Sequence, residues 1–168
     1  LFYDSAQAFG SKYKGKEVGE FGDAQIFSFH ATKLFQMGEG GAVVTDSHEL
    51  YEKLYRIRNF GFKEYLNCVE LGINGKMSEF SAMIGRRLLN KIPFFITSNM
   101  TIFNHYQKRL KEIPGITIPS VNKNQNPNYS YFPILVDPYK YGMTNLELNY
   151  ALYHENIISR CYFFPPVH

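Results

Sequence analysis

The stretch Gly22-Asp-Ala-Gln-Ile-Phe-Ser-Phe-His-Ala-Thr-Lys33 decides the fold of this chain. Residues 24–29 predict a short buried strand, and polar side chains and Lys33 follow where that strand ends. Residues 1–3 predict the end of a second strand, which Asp4 follows in the same way. In an open α/β sheet, ligands bind at the edge formed by the carboxyl ends of the strands. We therefore expect Asp4 and Lys33 at one such edge, in a chain of the α/β class.

Downstream of Lys33 the sequence predicts a strand and a helix. A turn at 38–41 leads into a β-branched strand at 42–45. Asp46 followed by Glu49 resembles a capping box, and apolar residues at helical spacing continue until Gly61 supplies a stop. We expect this helix on the outside of the sheet.

Two further helical stretches mark the middle of the chain. Ser78 starts the first, which Pro93 interrupts, and the second carries Tyr106 and ends before Pro114. We place the domain boundary in this region, with a partial α/β layer before it and a small α+β domain after it.

The last third of the chain predicts a compact β-β-α-β unit. The predicted strands are 116–118, 129–136 and 157–164. Thr144 followed by Glu147 predicts a capped helix that runs through Tyr153.

The composition is that of a soluble globular protein, with 45% hydrophobic and 20% charged residues over 168 positions. A net charge of +3, spread along the chain, predicts no nucleic-acid partner. Cys68 and Cys161 have no metal-ligand spacing, so we expect no metal and a reducing, cytoplasmic compartment. No apolar run approaches the length of a membrane span, so we expect no membrane partner. Because the chain opens on apolar residues without Met, we expect it to be part of something longer.

Three side chains near the start match the needs of pyridoxal 5'-phosphate (PLP). That cofactor needs a carboxylate for its pyridinium nitrogen, an amine for its aldehyde carbon, and hydroxyl or amide donors for its phosphate. Asp4, Lys33 and Ser28 provide these groups. A lone lysine after a strand is usually a solvated surface residue, so the cofactor role of Lys33 depends on its two companions.

Motifs along the whole chain resemble those of the DegT/DnrJ/EryC1/StrS family of PLP-dependent sugar-nucleotide aminotransferases. In order they are Asp4-Ser-Ala-Gln-Ala-Phe-Gly10, the stretch from Gly22 to Lys33, Gly38-Glu-Gly-Gly-Ala-Val-Val-Thr45, Arg58-Asn-Phe-Gly61, Leu71-Gly-Ile-Asn-Gly-Lys-Met-Ser-Glu79 and Tyr162-Phe-Phe-Pro-Pro-Val-His168. Each motif alone is weak evidence, but their common order and spacing are strong evidence.

The resemblance implies the PLP-dependent transferase fold type I, which is similar to aspartate aminotransferase. It makes residues 1–92 the carboxyl-terminal part of the large PLP-binding domain, 93–114 a connecting helix, and 115–168 an incomplete small carboxyl-terminal domain. Members of the family extend well beyond both ends of this chain, so a site built from these residues alone is expected to be incomplete.

Carried over by position, the resemblance assigns roles to the site residues. Asp4 becomes the partner of the pyridinium nitrogen, Gln7 lies near the ring hydroxyl, and Ser28 binds the phosphate. Lys33 becomes the residue that bonds the cofactor and the general acid/base that moves the proton between cofactor and substrate carbons. Asn74 reaches across a dimer interface to the phosphate of the other subunit's cofactor, which implies a homodimer with shared sites.

The implied substrates are a nucleotide-linked keto sugar and an amino donor, which we expect to be glutamate. This chain has Asn74-Gly-Lys76 where many relatives have Asn-Tyr-Arg. The Asn-Gly-Lys form resembles that of members that act at the sugar C4 keto group. We therefore expect a 4-keto-6-deoxy sugar, used in cell-surface polysaccharide or antigen biosynthesis. Lys76 and His168 are the candidate substrate-binding residues. Asn99 stands where relatives often carry Arg.

Two other functions compete with transamination. Sugar dehydration uses the same cofactor, but relatives that dehydrate replace the bonding lysine with histidine, so Lys33 favours transamination. The second alternative is a truncated or inactive homologue that acts as a fragment or binding module. A folded protein that fails to bind PLP would support this alternative.

Overall fold

The computed structural model describes residues 1–162 and Pro165. Contacts divide the chain into two compact units, one of Leu1–Met100 with Val121–Ser130 and one of Thr101–Ser120 with the chain from Tyr131 onward. The domain limits inferred from the sequence, 1–92, 93–114 and 115–168, stay predictions.

The described residues contain ten short strands, five α-helices and two 3-10 helices, Val18–Glu20 and Leu89–Lys91. The strands are β1 (Phe2–Asp4), β2 (Lys12–Tyr13), β3 (Lys16–Glu17), β4 (Ala24–Ser28), β5 (Gly41–Val44), β6 (Phe62–Glu64), β7 (Asn67–Cys68), β8 (Ile116–Thr117), β9 (Gln125–Asn126) and β10 (Leu135–Val136). The helices are α1 (His48–Ile57), α2 (Glu79–Leu88), α3 (Ile92–Leu110), α4 (Pro138–Tyr141) and α5 (Asn145–His154). Within this part of the chain, no helix is long and apolar enough to cross a bilayer.

The sheet that carries the site lies in the first unit, with strand order β1-β4-β5. β1 and β4 are parallel, with Asp4 opposite Ile26, and β5 runs antiparallel to β4. Gln25 and Phe27 share a buried face of β4, whereas Ile26 on the other face is 47% exposed. The strands predicted around residues 1–3, 24–29 and 42–45 are confirmed.

An aromatic cluster forms the core of the first unit. Phe27, Phe29 and Phe35 are buried together with Met37. The ring of Phe9 lies 5.5, 5.2 and 5.0 Å from the three phenyl rings of this cluster. Such ring pairs stabilise the fold beyond the burial of apolar area. Because Phe29 and Phe35 flank the segment that contains Lys33, the core fixes both ends of that segment.

Helix α1 begins one residue later than the sequence predicts. Ser47, not Asp46, is the cap: its backbone is extended and its hydroxyl accepts a hydrogen bond from the Leu50 N–H at 3.2 Å. The helix ends at Ile57, before Gly61. Gly61 closes the turn that follows, because its N–H donates to the Arg56 carbonyl at 2.9 Å with a φ of +77°.

The two middle helices follow the prediction closely. The Ser78 hydroxyl accepts a hydrogen bond from the Ser81 N–H at 3.1 Å and caps α2. Pro93 lies in the first turn of α3, where a missing N–H removes no helical hydrogen bond. The break between the two helices lies at Leu89–Lys91, just before Pro93, which is itself helical, so the interruption predicted at Pro93 is displaced. The helix end predicted before Pro114 is confirmed.

The strand predicted at 129–136 is wrong for all but its last two residues, Leu135–Val136, which pair antiparallel with β8. The Asn128 side chain accepts hydrogen bonds from the N–H and hydroxyl of Ser130 and holds the chain in a turn. Tyr129 has a φ of +56°, and Pro133 has no N–H to donate, so neither fits a strand ladder.

The helix predicted after Thr144 is confirmed, with both hydrogen bonds of its capping box present, and it ends at His154. The strand predicted at 157–164 is wrong for residues 157–162, while Phe163 and Phe164 lie outside the described residues. The carbonyl and hydroxyl oxygens of Ser159 accept hydrogen bonds from the Asn149 side chain at 2.9 and 2.8 Å, in place of strand pairing. Helix α4, which Asp137 caps, was not predicted from the sequence.

Candidate active site

Asp4 and Ser28 end two adjacent parallel strands. Asp4 lies opposite Ile26, so Ser28 is two residues further along the neighbouring strand at the same edge. The Asp4 Oδ1 atom accepts a hydrogen bond from the Ala6 N–H at 3.0 Å. The Ser28 Oγ atom accepts one from the His30 N–H at 3.3 Å, which leaves its own hydroxyl proton available. The edge therefore presents a carboxylate oxygen and a hydroxyl donor.

A turn directly after β4 presents Lys33. The Lys33 N–H donates to the His30 carbonyl at 2.9 Å and closes the turn. The His30 Nδ1 atom accepts a hydrogen bond from the Thr32 N–H at 3.3 Å. Lys33 itself is half-buried, and its ammonium has no hydrogen-bond or ion-pair partner among the described residues. The turn therefore places the Lys33 amine after the end of β4, where no described residue forms a hydrogen bond or ion pair with it.

Lys33 also lines a cavity of about 370 Å³ in the first unit. The other residues of its wall are Thr32, Leu34, Gln36, Leu88, Phe95, Asn99 and Ser130. Asn99, noted in the sequence because relatives often carry Arg there, therefore faces the same space as Lys33. Sequence reasoning missed Ser130 and Gln36, because isolated polar residues in loops carry no periodic signal.

Gln7 is held at this edge through its main chain. The Asn128 side-chain amide donates to the Gln7 carbonyl at 2.8 Å and to the Phe9 carbonyl at 2.9 Å. The Asn128 N–H donates to the Ser11 hydroxyl at 3.0 Å. Asn128 is only 6% exposed, so it anchors the segment that follows Asp4. It was missed because it is one of several asparagines in an Asn-rich loop.

Asn74 and Lys76 lie together on a second element, residues 59–76, which we call the arm. Asn59 and Asn74 form an antiparallel bridge at its base. The Lys76 Nζ atom donates to Asn74 Oδ1 at 2.5 Å and lies 3.9 Å from the centre of the Phe60 ring. No hydrogen bond joins Asn74 or Lys76 to Asp4 in the described residues. His168, the other predicted substrate residue, lies outside them.

The groups at the strand edge fit PLP. Asp4 has a second oxygen, Oδ2, without a hydrogen bond among the described residues, so it can accept from a pyridinium N–H. Ser28 can donate its hydroxyl proton to a phosphate oxygen, and Lys33 supplies an unpaired amine. This set of acid, amine and hydroxyl is what the cofactor requires of its binding site.

Sugar transaminases are among the proteins to which this chain is similar. The chain is 40% identical over 167 residues to dTDP-4-amino-4,6-dideoxy-D-glucose transaminase of Shigella dysenteriae, covering 99% of this chain and 45% of that protein. The enzyme of the same name from Escherichia coli is 38% identical, with 98% and 44% covered. A crystal structure of DesI in the presence of its TDP-sugar product superposes with a TM-score of 0.93 at 34% identity, over 100% of this chain and 43% of DesI.

The fold is therefore that of the fold type I PLP-dependent transferases, as the sequence predicts. The sequence profile of the DegT/DnrJ/EryC1/StrS aminotransferase family matches residues 1–168, and the chain belongs to this family. It spans less than half the length of the relatives named above.

Proposed function

We propose that the protein is a PLP-dependent aminotransferase that transfers an amino group from glutamate to a nucleotide-linked keto sugar. The acceptor is a 4-keto-6-deoxy sugar, and the product serves the synthesis of a cell-surface polysaccharide or antigen. The observation that carries the proposal is the half-buried, unpaired Lys33 beside the strand edge of Asp4 and Ser28. The transaminase names of the two relatives support the sugar and the site of amination.

In this mechanism each residue has a defined partner group on the cofactor or the substrate. Bound PLP supplies an electron sink that stabilises negative charge at the substrate carbon. Asp4 would keep the pyridinium nitrogen protonated through its free carboxylate oxygen, and Gln7 would be the residue for the ring hydroxyl. Ser28 donates to the phosphate. Lys33 would supply the amine that bonds the cofactor, and the same amine would serve as the acid/base for the proton that moves between the cofactor and substrate carbons.

The remaining predicted residues belong to the edges of the site. Asn74 donates to the phosphate held by the other subunit of a cytoplasmic homodimer. Lys76 and His168 contact the nucleotide sugar. Asn99 and Ser130 face the cavity beside Lys33 and provide neutral hydrogen-bonding groups for a substrate.

Covalent trapping tests the proposal directly. Purified protein in its full-length form is mixed with PLP, reduced with borohydride, digested and mapped by mass. The label should appear on Lys33 and be absent from the Lys33→Arg variant, which keeps the charge but cannot bond the cofactor. A folded wild-type protein without label would refute the enzyme assignment and support the inactive homologue.

A spectrum with the amino donor separates transamination from dehydration. Glutamate added alone to the PLP-loaded protein should convert the visible band to that of the aminated cofactor. The same addition to Lys33→Arg should not yield the aminated cofactor, because no lysine moves the proton between the two carbons. If the wild-type band also persists with glutamate, the assigned donor or the assigned reaction is wrong.

A further inference from the structure

The amide of Asn74 has a defined orientation. Its Oδ1 atom lies 2.5 Å from Lys76 Nζ. A lysine ammonium only donates, so the atom that meets it must be the amide oxygen and not the nitrogen. The two N–H groups of Asn74 Nδ2 therefore point away from Lys76, and they have no partner among the described residues.

The Lys76 ammonium is itself held in place. It lies 3.9 Å from the centre of the Phe60 ring, which is within cation–π distance. Phe60 has a φ of +60°, a left-handed conformation that an aromatic residue rarely adopts. Its N–H donates to the Ile73 carbonyl at 3.0 Å, so the backbone ladder of the arm maintains the strained conformation.

The same ladder fixes the main chain on both sides of Asn74. The Ile73 N–H donates to the Ile57 carbonyl at 2.8 Å, and the Gly75 N–H donates to the Arg58 carbonyl at 2.8 Å. Asn74 itself is bridged to Asn59. With the backbone fixed, the side-chain torsions of Asn74 are its main remaining freedom, and Lys76 restricts them.

From this arrangement we infer that Lys76 is a positioning residue for Asn74. It holds the amide so that both Nδ2 N–H groups face a phosphate monoester, which under the proposed function is the phosphate of PLP in the other subunit. The inference rests on that proposed function. Two N–H donors with a lysine cation behind the amide suit a dianion, and Lys76 keeps further N–H groups for the nucleotide sugar.

A double-mutant cycle on PLP affinity tests the coupling. The dissociation constant of PLP is measured from the absorbance of the bound cofactor in the wild type, Asn74→Ala, Lys76→Met and the double variant. Each single change should weaken PLP about tenfold, and the double variant should bind no more weakly than Asn74→Ala alone. A hundredfold loss in the double variant would mean independent contacts and would overturn the inference.

The affinity for pyridoxal, which lacks the phosphate, tests whether Lys76 acts on cofactor binding through the phosphate. Lys76→Met should bind pyridoxal as well as the wild type does, because the pair acts only on the phosphate. Equal losses for pyridoxal and PLP would overturn the inference. Lys76→Arg should bind PLP more tightly than Lys76→Met does, since it keeps a cation and N–H donors that can reach the Asn74 oxygen.

Two further variants complete the design. Phe60→Leu should weaken PLP in the wild-type background and have no effect in Lys76→Met, because the ring acts through the lysine. Lys63→Met, a change of an exposed lysine on the same arm, should leave PLP affinity unchanged. If the wild type itself binds no PLP, the proposed function fails and the inference with it; if it binds PLP but the cycle is additive, only the inference fails.

Discussion

The guanidinium of Arg56 donates from Nε at 2.9 Å and from Nη2 at 2.7 Å to one oxygen of Glu70, the Oε1 atom. The side chains are only 23% and 21% exposed. The other oxygen, Glu70 Oε2, is buried and has no hydrogen-bond partner in the described structure. The pair ties the end of α1 to the returning half of the arm, four residues before Asn74.

Removal of one partner of this pair should destabilise the protein. Glu70→Ala leaves the Arg56 guanidinium with only Glu52, whose carboxylate lies 3.7 Å away. A lost hydrogen bond to a mostly buried charge costs about 2 kcal/mol, which should lower the Tm by roughly 4–8 °C. Glu112→Ala, which breaks an exposed pair with Lys111, should change stability by less than about 0.5 kcal/mol. Equal shifts in thermal unfolding would contradict the structural role of Glu70.

Gly61 and Gly38 form a matched pair for testing how closely the two halves of the arm approach. Both have a φ of +77°, but a Cβ at Gly61 would lie 1.8 Å from the Glu70 carbonyl oxygen, whereas one at Gly38 would meet nothing within 4 Å. Gly38→Ala should cost about 1 kcal/mol for the left-handed conformation alone. Gly61→Ala should cost about 3 kcal/mol or more, because the backbone must move. Urea denaturation measures the free energy of unfolding of both variants. Similar losses would show that the backbone at Gly61 and the backbone at Glu70 do not approach each other so closely.

Asn128 should be intolerant of change despite its position in an Asn-rich loop. Asn128→Ala leaves the carbonyls of Gln7 and Phe9 without their donor, and we expect a loss of about 3 kcal/mol. Asn128→Asp should be at least as harmful, because its carboxylate would face the two carbonyl oxygens. Asn126→Ala, at an exposed position of β9, is the control and should be nearly neutral. If both alanine variants unfold at the same urea concentration, Asn128 does not anchor this segment.

The sheet and its edge could be predicted because their signals are local. Residues 24–29 form an apolar run followed at once by polar groups, and this pattern locates both the strand and the position of Lys33. The helix caps at Ser78 and Thr144 were predicted for the same reason, since a cap needs only a hydroxyl and a free N–H nearby.

The arm could not be predicted from periodicity. Its contact between Lys76 and Phe60 depends on a left-handed φ at Phe60, and nothing about a phenylalanine indicates that conformation. The strand predicted at 129–136 was wrong because a single long-range side chain, Asn128, determines the path of the chain there. Such contacts join residues more than a hundred positions apart, as Asn128 and Gln7 show, and leave no pattern in either segment.

The capping box of α5 should make part of the stability depend on pH. Glu147 Oε2 accepts hydrogen bonds from the Thr144 N–H at 2.7 Å and the Thr144 hydroxyl at 2.8 Å, and these bonds hold the pKa of the Glu147 carboxyl below its ordinary value. Because the folded pKa is lowered, the stabilisation is present above the ordinary carboxyl pKa of about 4.3 and is lost as the pH falls through the folded value. Glu147→Gln should therefore unfold at a lower temperature than the wild type at pH 7, and the difference should shrink as the pH falls below about 4. Glu64→Gln, at an exposed position of β6, controls for the loss of one surface charge and should differ little from the wild type at pH 7. A difference between Glu147→Gln and the wild type that stays constant down to low pH would show that the carboxylate charge does not contribute to the cap.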